Sequence, residues 1–224
     1  HDGDADRLIA VDESGGRLDG ADFLAIFAIN SHQSGNLPGN TIVTTPVTNS
    51  GLHTSLQRQG INVVESAIGD RSVLQLMLRA GYRLGGEQYG HIIMLDRATT
   101  GDGILTALRL MTIMASTGRT MAELATSWTR KPQSMVNIVV PDRRFLHRCP
   151  ELGDLVAAEH ERLADRGRLT VRTSTIEPVV RVSCEAPAQE EVDAVTERVV
   201  SAIRQRVHDE ETCRPGGERL VVGS

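Results

Sequence analysis

The chain has 224 residues, 40% of them hydrophobic, which is enough for one large domain or two smaller domains with cores of their own. Aromatic residues make up only 3%, which disfavours a nucleic-acid surface that stacks bases on aromatic side chains. The net charge is −5, so an anionic ligand has to be captured by a local group of arginines rather than attracted by the whole protein.

The cysteines and the hydropathy of the chain further limit the class of protein and its cellular compartment. Cys149, Cys184 and Cys213 are odd in number and lack a CxxC spacing, which argues against a disulfide framework or a zinc site and favours a reducing compartment. The longest apolar stretch, residues 104–115, is interrupted by Arg109 and is too short to span a bilayer. The sequence opens without a signal-peptide pattern. We therefore expect a cytoplasmic protein with no membrane partner.

The first elements in chain order are a short strand and a helix. The apolar run Leu8–Val11 predicts a strand, and residues 21–29 predict a mostly apolar helix that Asp19 or Asp22 could begin. Residues 31–40 are rich in Ser, Gly, Asn and Pro, which indicates a loop. The first domain boundary is predicted there.

An alternation of strands and helices follows, and it predicts a parallel sheet. Asp70 is a candidate cap for a helix, Asp102 or Thr100 for a longer one, and the pair Thr120 and Glu123 forms a capping box for a third. Trp128 falls on the apolar stripe of that last helix, which predicts a core position. The predicted strands are 41–45, 61–64 and 92–95, and the predicted helices are 51–59, 70–78, 102–116 and the one after residue 120.

A different pattern begins after Pro132 and predicts a separate α+β domain. Its strands are expected at 135–140, 169–173 and 179–185, and its helices at 151–166 and 188–207. Residues 208–224 are polar and lack periodicity, so a loose tail is expected. The predicted segments of the chain are therefore 1–38, 39–130, 131–207 and 208–224.

Three carboxylates near the start could hold a metal ion. Asp2, Asp4 and Asp6 alternate with Gly3 and an alanine, so their oxygens can converge on Mg²⁺ or Ca²⁺. An EF-hand loop is disfavoured, because its turn glycine is replaced by arginine and a strand follows. A phosphatase-type aspartyl nucleophile and a solvated acidic turn remain open alternatives.

Two further motifs carry groups that suit an anionic, hydroxyl-bearing ligand. In the run Gly85–His91, paired glycines allow close approach to a ligand, Glu87 can accept hydrogen bonds, and His91 can exchange a proton near neutral pH. A buried structural role is the alternative for this histidine. Arg172, Ser174 and Arg181 come from a strand, its turn and the next strand, so they could surround one phosphate. The alternative is a pair of surface arginines at sheet edges.

The three motifs, in this order, resemble loops of the α-D-phosphohexomutase superfamily, in its phosphoglucosamine mutase branch. The resemblance covers nearly the whole chain, to about residue 207. It implies an α/β protein with mixed αβ sheet domains, followed by a C-terminal α+β domain like the TATA-box-binding protein. Residues 1–38 would end a metal-binding domain, 39–130 would form a sugar-binding domain and 131–207 a phosphate-binding domain.

The resemblance also implies a function and a role for each residue. The reaction would be interconversion of glucosamine 6-phosphate and glucosamine 1-phosphate, a step of amino-sugar and peptidoglycan precursor biosynthesis. The implied site comprises Mg²⁺ on Asp2, Asp4 and Asp6; Arg7 and His91 as catalytic residues; Glu87 and Tyr89 on the sugar; and Arg172, Ser174, Thr175 and Arg181 on the phosphate. The segment Asp70-Arg71 resembles another family loop, although helix capping is preferred for this aspartate.

The phosphoserine of this family comes from an N-terminal domain, and its serine loop is not found in this chain. The chain starts at His1 without a strand to precede the metal-binding motif, so we expect the C-terminal portion of a longer protein, inactive alone. Three positions depart from the family pattern: Tyr89 replaces Ser, Thr173 replaces Pro, and Thr175-Ile176 replaces Gly-Thr. A second hypothesis is therefore a non-catalytic sugar-phosphate-binding remnant, or half of a split mutase.

Overall fold

The computed structural model describes residues 1–174 and 177–212, apart from the side chains of Asp165, Glu211 and Thr212. The chain divides into two compact units, of which the first is His1–Arg130 and the second begins at Lys131. The finer division of the first unit near residue 38 remains a prediction.

The first unit contains a small hairpin and a four-stranded sheet. The sheet order is β4-β3-β5-β6, with β3 parallel to both β4 and β5. The strands are β1 (Ala10–Val11), β2 (Arg17–Leu18), β3 (Thr41–Thr44), β4 (Asn62–Glu65), β5 (Leu84–Gly86) and β6 (Ile92–Met94). The helices are α1 (Gly20–Gln33), α2 (Gly51–Gln57), α3 (Asp70–Ala80), α4 (Gly103–Thr117) and α5 (Met121–Ala125), with a 3₁₀ turn at Pro38–Asn40.

Helices cover both faces of this sheet. On β3, Ile42 joins a core shared with α1, α2 and α4, whereas Val43 packs against Val73 and Met77 of α3. Neighbouring residues of a strand point to opposite faces, so one strand serves both cores. Trp128 is buried in the larger core, as predicted.

Three local predictions for the first unit are wrong. The sheet is mixed rather than parallel, because β5 and β6 are antiparallel. A short loop joins these two strands, whereas a parallel connection needs a long crossover. The strand expected from Leu8 is limited to Ala10–Val11, because its partner β2 has only two residues and the Leu8 amide donates instead to the Gly90 carbonyl at 3.2 Å. Gly69, with φ of 116°, precedes α3 as its N-cap, so Asp70 is the first helical residue.

The second unit is a three-stranded antiparallel sheet with two long helices on one face. Its strands are β7 (Gln133–Val139), β8 (Arg168–Thr173) and β9 (Val179–Glu185), in the order β7-β9-β8, and its helices are α6 (Pro150–Leu163) and α7 (Gln189–Thr212), with 3₁₀ turns at Phe145–Arg148 and Ala164–Arg166. Val180, Val182 and Cys184 of β9 are buried in the core with α7, while alternate residues face away. Cys149 and Cys184 are both buried and free.

The helix at the end of the described chain is longer than expected. Residues 208–212, predicted as part of a loose tail, continue α7. Side-chain contacts stabilise this extension: Gln205 Nε2 donates to Asp209 Oδ1 at 2.9 Å, and Arg148 pairs with Glu210 at 3.1 Å. The remaining tail, 213–224, lies outside the described residues. Across the described chain, every helix is too short or too polar to cross a membrane.

Candidate functional site

The three aspartates of the predicted metal loop, residues 2–7, converge as expected. One ligand oxygen from each of Asp2, Asp4 and Asp6 lies within 4.8 Å of the other two. A turn closes the loop, with the amide of Ala5 donating to the carbonyl of Asp2 at 3.2 Å, and Ala5 itself adopts a left-handed φ of 59°. This turn lets alternate side chains share one side of the loop.

The carboxylates of the cluster repel one another, and Arg7 lies close to two of them. Arg7 Nε lies 3.5 Å from Asp2 Oδ2 and 3.5 Å from Asp6 Oδ1. The pKa of Asp6 is raised, chiefly by partial desolvation and in addition by the neighbouring carboxyl group of Asp2. Desolvation also acts upward on Asp2, but a hydrogen bond from the Arg7 amide at 3.3 Å helps to lower the pKa of Asp2 overall. A cation at this position would relieve the repulsion between the carboxylates.

The residues present fit a hard divalent cation. Asp6 Oδ1 is buried and accepts no hydrogen bond from the described residues, which leaves an oxygen lone pair available. Carboxylate oxygens are preferred ligands of Mg²⁺ and Ca²⁺. The EF-hand alternative is wrong, because the chain after Arg7 enters the β1–β2 hairpin rather than a helix.

The predicted sugar loop, residues 85–91, lies directly beside the metal loop. Its turn is closed by hydrogen bonds from the Glu87 amide to the His91 carbonyl at 3.0 Å and from the Gly90 amide to the Glu87 carbonyl at 3.1 Å. Leu8 N donates to the Gly90 carbonyl at 3.2 Å, and Arg7 forms an antiparallel bridge with His91. A Cβ on Gly90 would lie 2.2 Å from the Leu8 carbonyl oxygen, so glycine permits this approach.

The two predicted sugar-contacting residues differ in their surroundings. Glu87 Oε1 accepts a hydrogen bond from the Gly69 amide at 3.0 Å, which ties the sugar loop to the start of α3. Tyr89 lies at the tip of the loop and is 40% exposed. Glu87 therefore has a structural contact in addition to any ligand contact, whereas the side chain of Tyr89 reaches solvent.

His91 is buried between two carboxylates. The residue is 4% exposed, and its Nε2 lies 3.5 Å from Asp6 Oδ2 and 4.0 Å from Asp70 Oδ2. Sequence reasoning preferred a capping role for Asp70 and missed this contact. The resemblance of Asp70-Arg71 to a family loop was the signal for it. Gly101 closes the other side of the ring, since a Cβ there would lie 2.4 Å from His91 Nε2.

A buried ion network, which sequence reasoning also missed, fixes the start of α1. Arg130 pairs with Asp19 at 2.9 Å and with Asp22 at 3.1 Å, and the Trp128 indole donates to Asp22 at 2.9 Å. Burial raises the pKa of Asp22 despite these partners. The helix start touches the sugar loop, since a Cβ on Gly20 would lie 2.0 Å from the Glu87 carbonyl oxygen. The network thus supports one wall of the site.

The predicted phosphate residues meet at one end of the sheet in the second unit. Arg172 and Arg181 are direct partners across β8 and β9, so their side chains share a face. Arg181 Nε is buried without a hydrogen-bond partner among the described residues. Ser174 closes the turn, with its amide donating to the Val179 carbonyl at 2.7 Å. Thr175, with Ile176, lies outside the described residues.

Comparison with protein families matches both units. Residues 19–131 match the family model "Phosphoglucomutase/phosphomannomutase, alpha/beta/alpha domain III", and residues 135–202 match "Phosphoglucomutase/phosphomannomutase, C-terminal domain". The phosphoglucosamine mutases of Moorella thermoacetica and Acidothermus cellulolyticus are 45% and 47% identical to this chain. These matches cover 90% and 92% of this chain but 46% and 45% of the relatives. The chain therefore spans about half the length of these curated relatives.

Solved structures share the fold at lower identity. Aspergillus fumigatus N-acetylphosphoglucosamine mutase, in complex with GlcNAc-6P and magnesium, superposes with a TM-score of 0.73 at 22% identity, covering 92% of this chain and 48% of that one. A phosphoglucomutase/phosphomannomutase family protein from Burkholderia thailandensis gives a TM-score of 0.70 at 21% identity, covering 90% and 45%. Because a single family model spans half of the sequence and the fold agrees, the chain belongs to the phosphoglucomutase/phosphomannomutase family.

Proposed function

We propose that this chain supplies the metal-binding, sugar-binding and phosphate-binding parts of a mutase that interconverts glucosamine 6-phosphate and glucosamine 1-phosphate. The observation that carries the proposal is the convergence of three aspartates within 4.8 Å, beside Arg7 and His91 and against the sugar loop. The choice of an amino sugar is supported by relatives at 45% and 47% identity that are phosphoglucosamine mutases.

Asp2, Asp4 and Asp6 would hold Mg²⁺, which would neutralise charge on the oxygens of a transferring phosphoryl group. Cation binding favours the carboxylate form even at Asp6, whose pKa is raised chiefly by desolvation. Arg7 would add a positive charge to the same phosphoryl group. Phosphoryl transfer needs mainly positioning and charge neutralisation, which this group of residues can provide.

Glu87 and Tyr89 would contact ring hydroxyls of the sugar, and His91 would hold or release the proton of the reacting hydroxyl. The sugar loop is held rigidly by its backbone hydrogen bonds and by the contact of Glu87 with the Gly69 amide. Rigid placement of binding groups favours catalysis, because less ordering is needed when the substrate binds. The carboxylates of Asp6 and Asp70 lie 3.5 and 4.0 Å from His91 Nε2, so the ring is placed beside the metal loop.

In the second unit, Arg172, Ser174, Thr175 and Arg181 would hold the phosphate that is not being transferred. The facing arginines of β8 and β9 support this role, since guanidinium groups bind phosphate through paired hydrogen bonds. A sugar held in this way could present either end to one phosphoserine. We assign that phosphoserine to a segment of a longer polypeptide and expect this chain alone to be inactive. A cytoplasmic location remains part of this proposal.

A second candidate is a sugar-phosphate-binding protein without catalysis. The observation that favours it is Tyr89, an exposed phenol at the tip of the sugar loop where the family has serine. The closing hydrogen bonds of that loop are nevertheless formed, so the loop accommodates the tyrosine. The two candidates predict the same binding and different turnover.

The test uses the full-length protein with glucosamine 6-phosphate and Mg²⁺. Asp4→Asn removes one exposed carboxylate ligand and is expected to lower turnover by about a hundredfold or more, with weaker Mg²⁺ binding by calorimetry. Asp154→Asn, at an exposed position of α6, is the matched control and should change neither. Binding of the sugar phosphate without turnover by the unmodified protein would favour the second candidate. A protein that binds neither Mg²⁺ nor the sugar phosphate would overturn both.

A further inference from the structure

A second group of arginines lies beside Ser174, one of the predicted phosphate residues. The arginine loop, residues 142–148, follows β7 and leads into α6. It lines an open groove together with Thr173 and Ser174 at the end of β8; the loop residues in the groove are Asp142, Arg143, Arg144 and Arg148. The Val140 amide donates to the Pro178 carbonyl at 2.9 Å, which holds the chain before the arginine loop against the turn between β8 and β9.

The arginine loop is held in place by its own acid. Asp142 Oδ1 accepts hydrogen bonds from the Arg144 amide at 2.7 Å and from Arg148 Nη1 at 3.0 Å. Arg148 also pairs with Glu210 of α7 at 3.1 Å, and Phe145 is fully buried in the core. Arg148 is therefore engaged in ordering the loop. The positive charge of Arg148 offsets the negative charge of Asp142.

The other two arginines that line the groove are Arg143 and Arg144. Both side chains are exposed, and Arg144 is attached to a backbone that Asp142 fixes. A guanidinium offers planar, paired donors suited to phosphate oxygens. A loop that is already ordered loses less conformational entropy on binding an anion. The groove thus places Ser174 beside an exposed guanidinium, that of Arg144, on a loop whose backbone is held.

We propose that Arg144 is a further phosphate-binding residue, which contacts the phosphate of the sugar phosphate in the groove shared with Ser174. The inference rests on the proposed function and extends its phosphate site beyond β8 and β9. Since the phosphate held here is not the one being transferred, Arg144 acts on substrate binding rather than on the chemical step.

The test compares three variants of the full-length protein by calorimetry with glucosamine 6-phosphate. Arg144→Gln is expected to weaken binding about tenfold, the effect of one charge-assisted hydrogen bond. Arg144→Lys keeps the charge without the paired donors and should give an intermediate loss. Arg204→Gln, at an exposed position of α7, makes the same charge change away from the groove and should bind as the unmodified protein does. The loss should shrink at high salt, because an exposed charge is screened.

In turnover assays, Arg144→Gln should raise KM with little change in kcat. Equal affinity of Arg144→Gln and Arg204→Gln, in a protein that binds and converts the sugar phosphate, overturns this inference and leaves the proposed function standing. A large fall in kcat with unchanged KM also overturns it, because that pattern indicates a role in the chemical step. If the unmodified protein does not bind the sugar phosphate, the proposed function fails and this inference fails with it.

Discussion

A methyl group placed against the buried histidine tests whether the geometry around His91 matters for function. A Cβ on Gly101 would lie 2.4 Å from His91 Nε2, 2.5 Å from Cδ2 and 2.6 Å from Cε1. The φ angle of Gly101 lies outside the left-handed region, so Gly101→Ala changes packing without straining the backbone. The contact is therefore the sole new feature that this substitution introduces at the ring.

The size of the effect follows from the distances. Carbon and nitrogen atoms pack at about 3.5 Å or more, so the ring has to move by about 1 Å. The ring is buried, and its displacement presses on neighbouring groups at a cost of about 1–3 kcal/mol in the free energy of unfolding. A shift of that size also moves Nε2 relative to Asp6, from which it is now 3.5 Å. A 1 Å misplacement of a reacting group can lower turnover about a hundredfold.

The assay is conversion of glucosamine 6-phosphate by the full-length protein, with chemical denaturation measured in parallel. Gly3→Ala is the matched control, because a Cβ at Gly3 meets no atom within 4 Å and the position lies in the metal loop itself. We expect the control to keep both stability and turnover. A folded Gly101→Ala protein with turnover within about threefold of the unmodified protein would refute the reasoning that His91 must stay in place.

Much of the fold could be predicted because local chemistry determines it. The strand Val179–Glu185 has the predicted bounds, since Pro178 directly precedes it and buried apolar residues alternate along it. The capping box of Thr120 and Glu123 is formed as predicted, because both partners lie within one helical turn. The cluster of Asp2, Asp4 and Asp6 likewise depends on residues two apart. These features need no knowledge of distant parts of the chain.

The features that sequence reasoning missed depend on residues far apart in the chain. Asp70 looked like a helix cap, but Gly69 takes that place, and the Gly69 amide donates to the carboxylate of the distant Glu87. The pairing of Asp22 with Arg130 joins residues at opposite ends of the first unit, and no local pattern indicates it. The reversed direction of β6 follows from the tight turn of the sugar loop. In each case a tertiary contact decides between local alternatives.

Two further predictions concern the sugar loop and the core of the second unit. Tyr89→Ser replaces the bulky phenol by the compact hydroxyl that the family resemblance implies at this position. It should shift the preference between glucosamine, glucose and mannose phosphates in turnover assays of the full-length protein. Unchanged selectivity would show that the residue at this position does not determine which sugar phosphate is preferred. Glu159→Gln should lower the free energy of unfolding by about 2 kcal/mol at neutral pH, because it breaks a charge-assisted pair with Arg198.

The Glu159 prediction has a defined pH dependence. Its buried carboxylate accepts two hydrogen bonds from Arg198 at 2.8 Å and one from Arg162 at 2.9 Å, and the Arg198 bonds chiefly lower its pKa below 4.5. A lowered folded-state pKa contributes stability that is present above about pH 4.5 and lost as the pH falls through the folded value. The deficit of Glu159→Gln should therefore shrink in acid. Glu161→Gln, at an exposed position of the same helix, is the control and should be neutral. A deficit that stays constant from pH 7 to about pH 3 would show that packing, not charge, accounts for the effect.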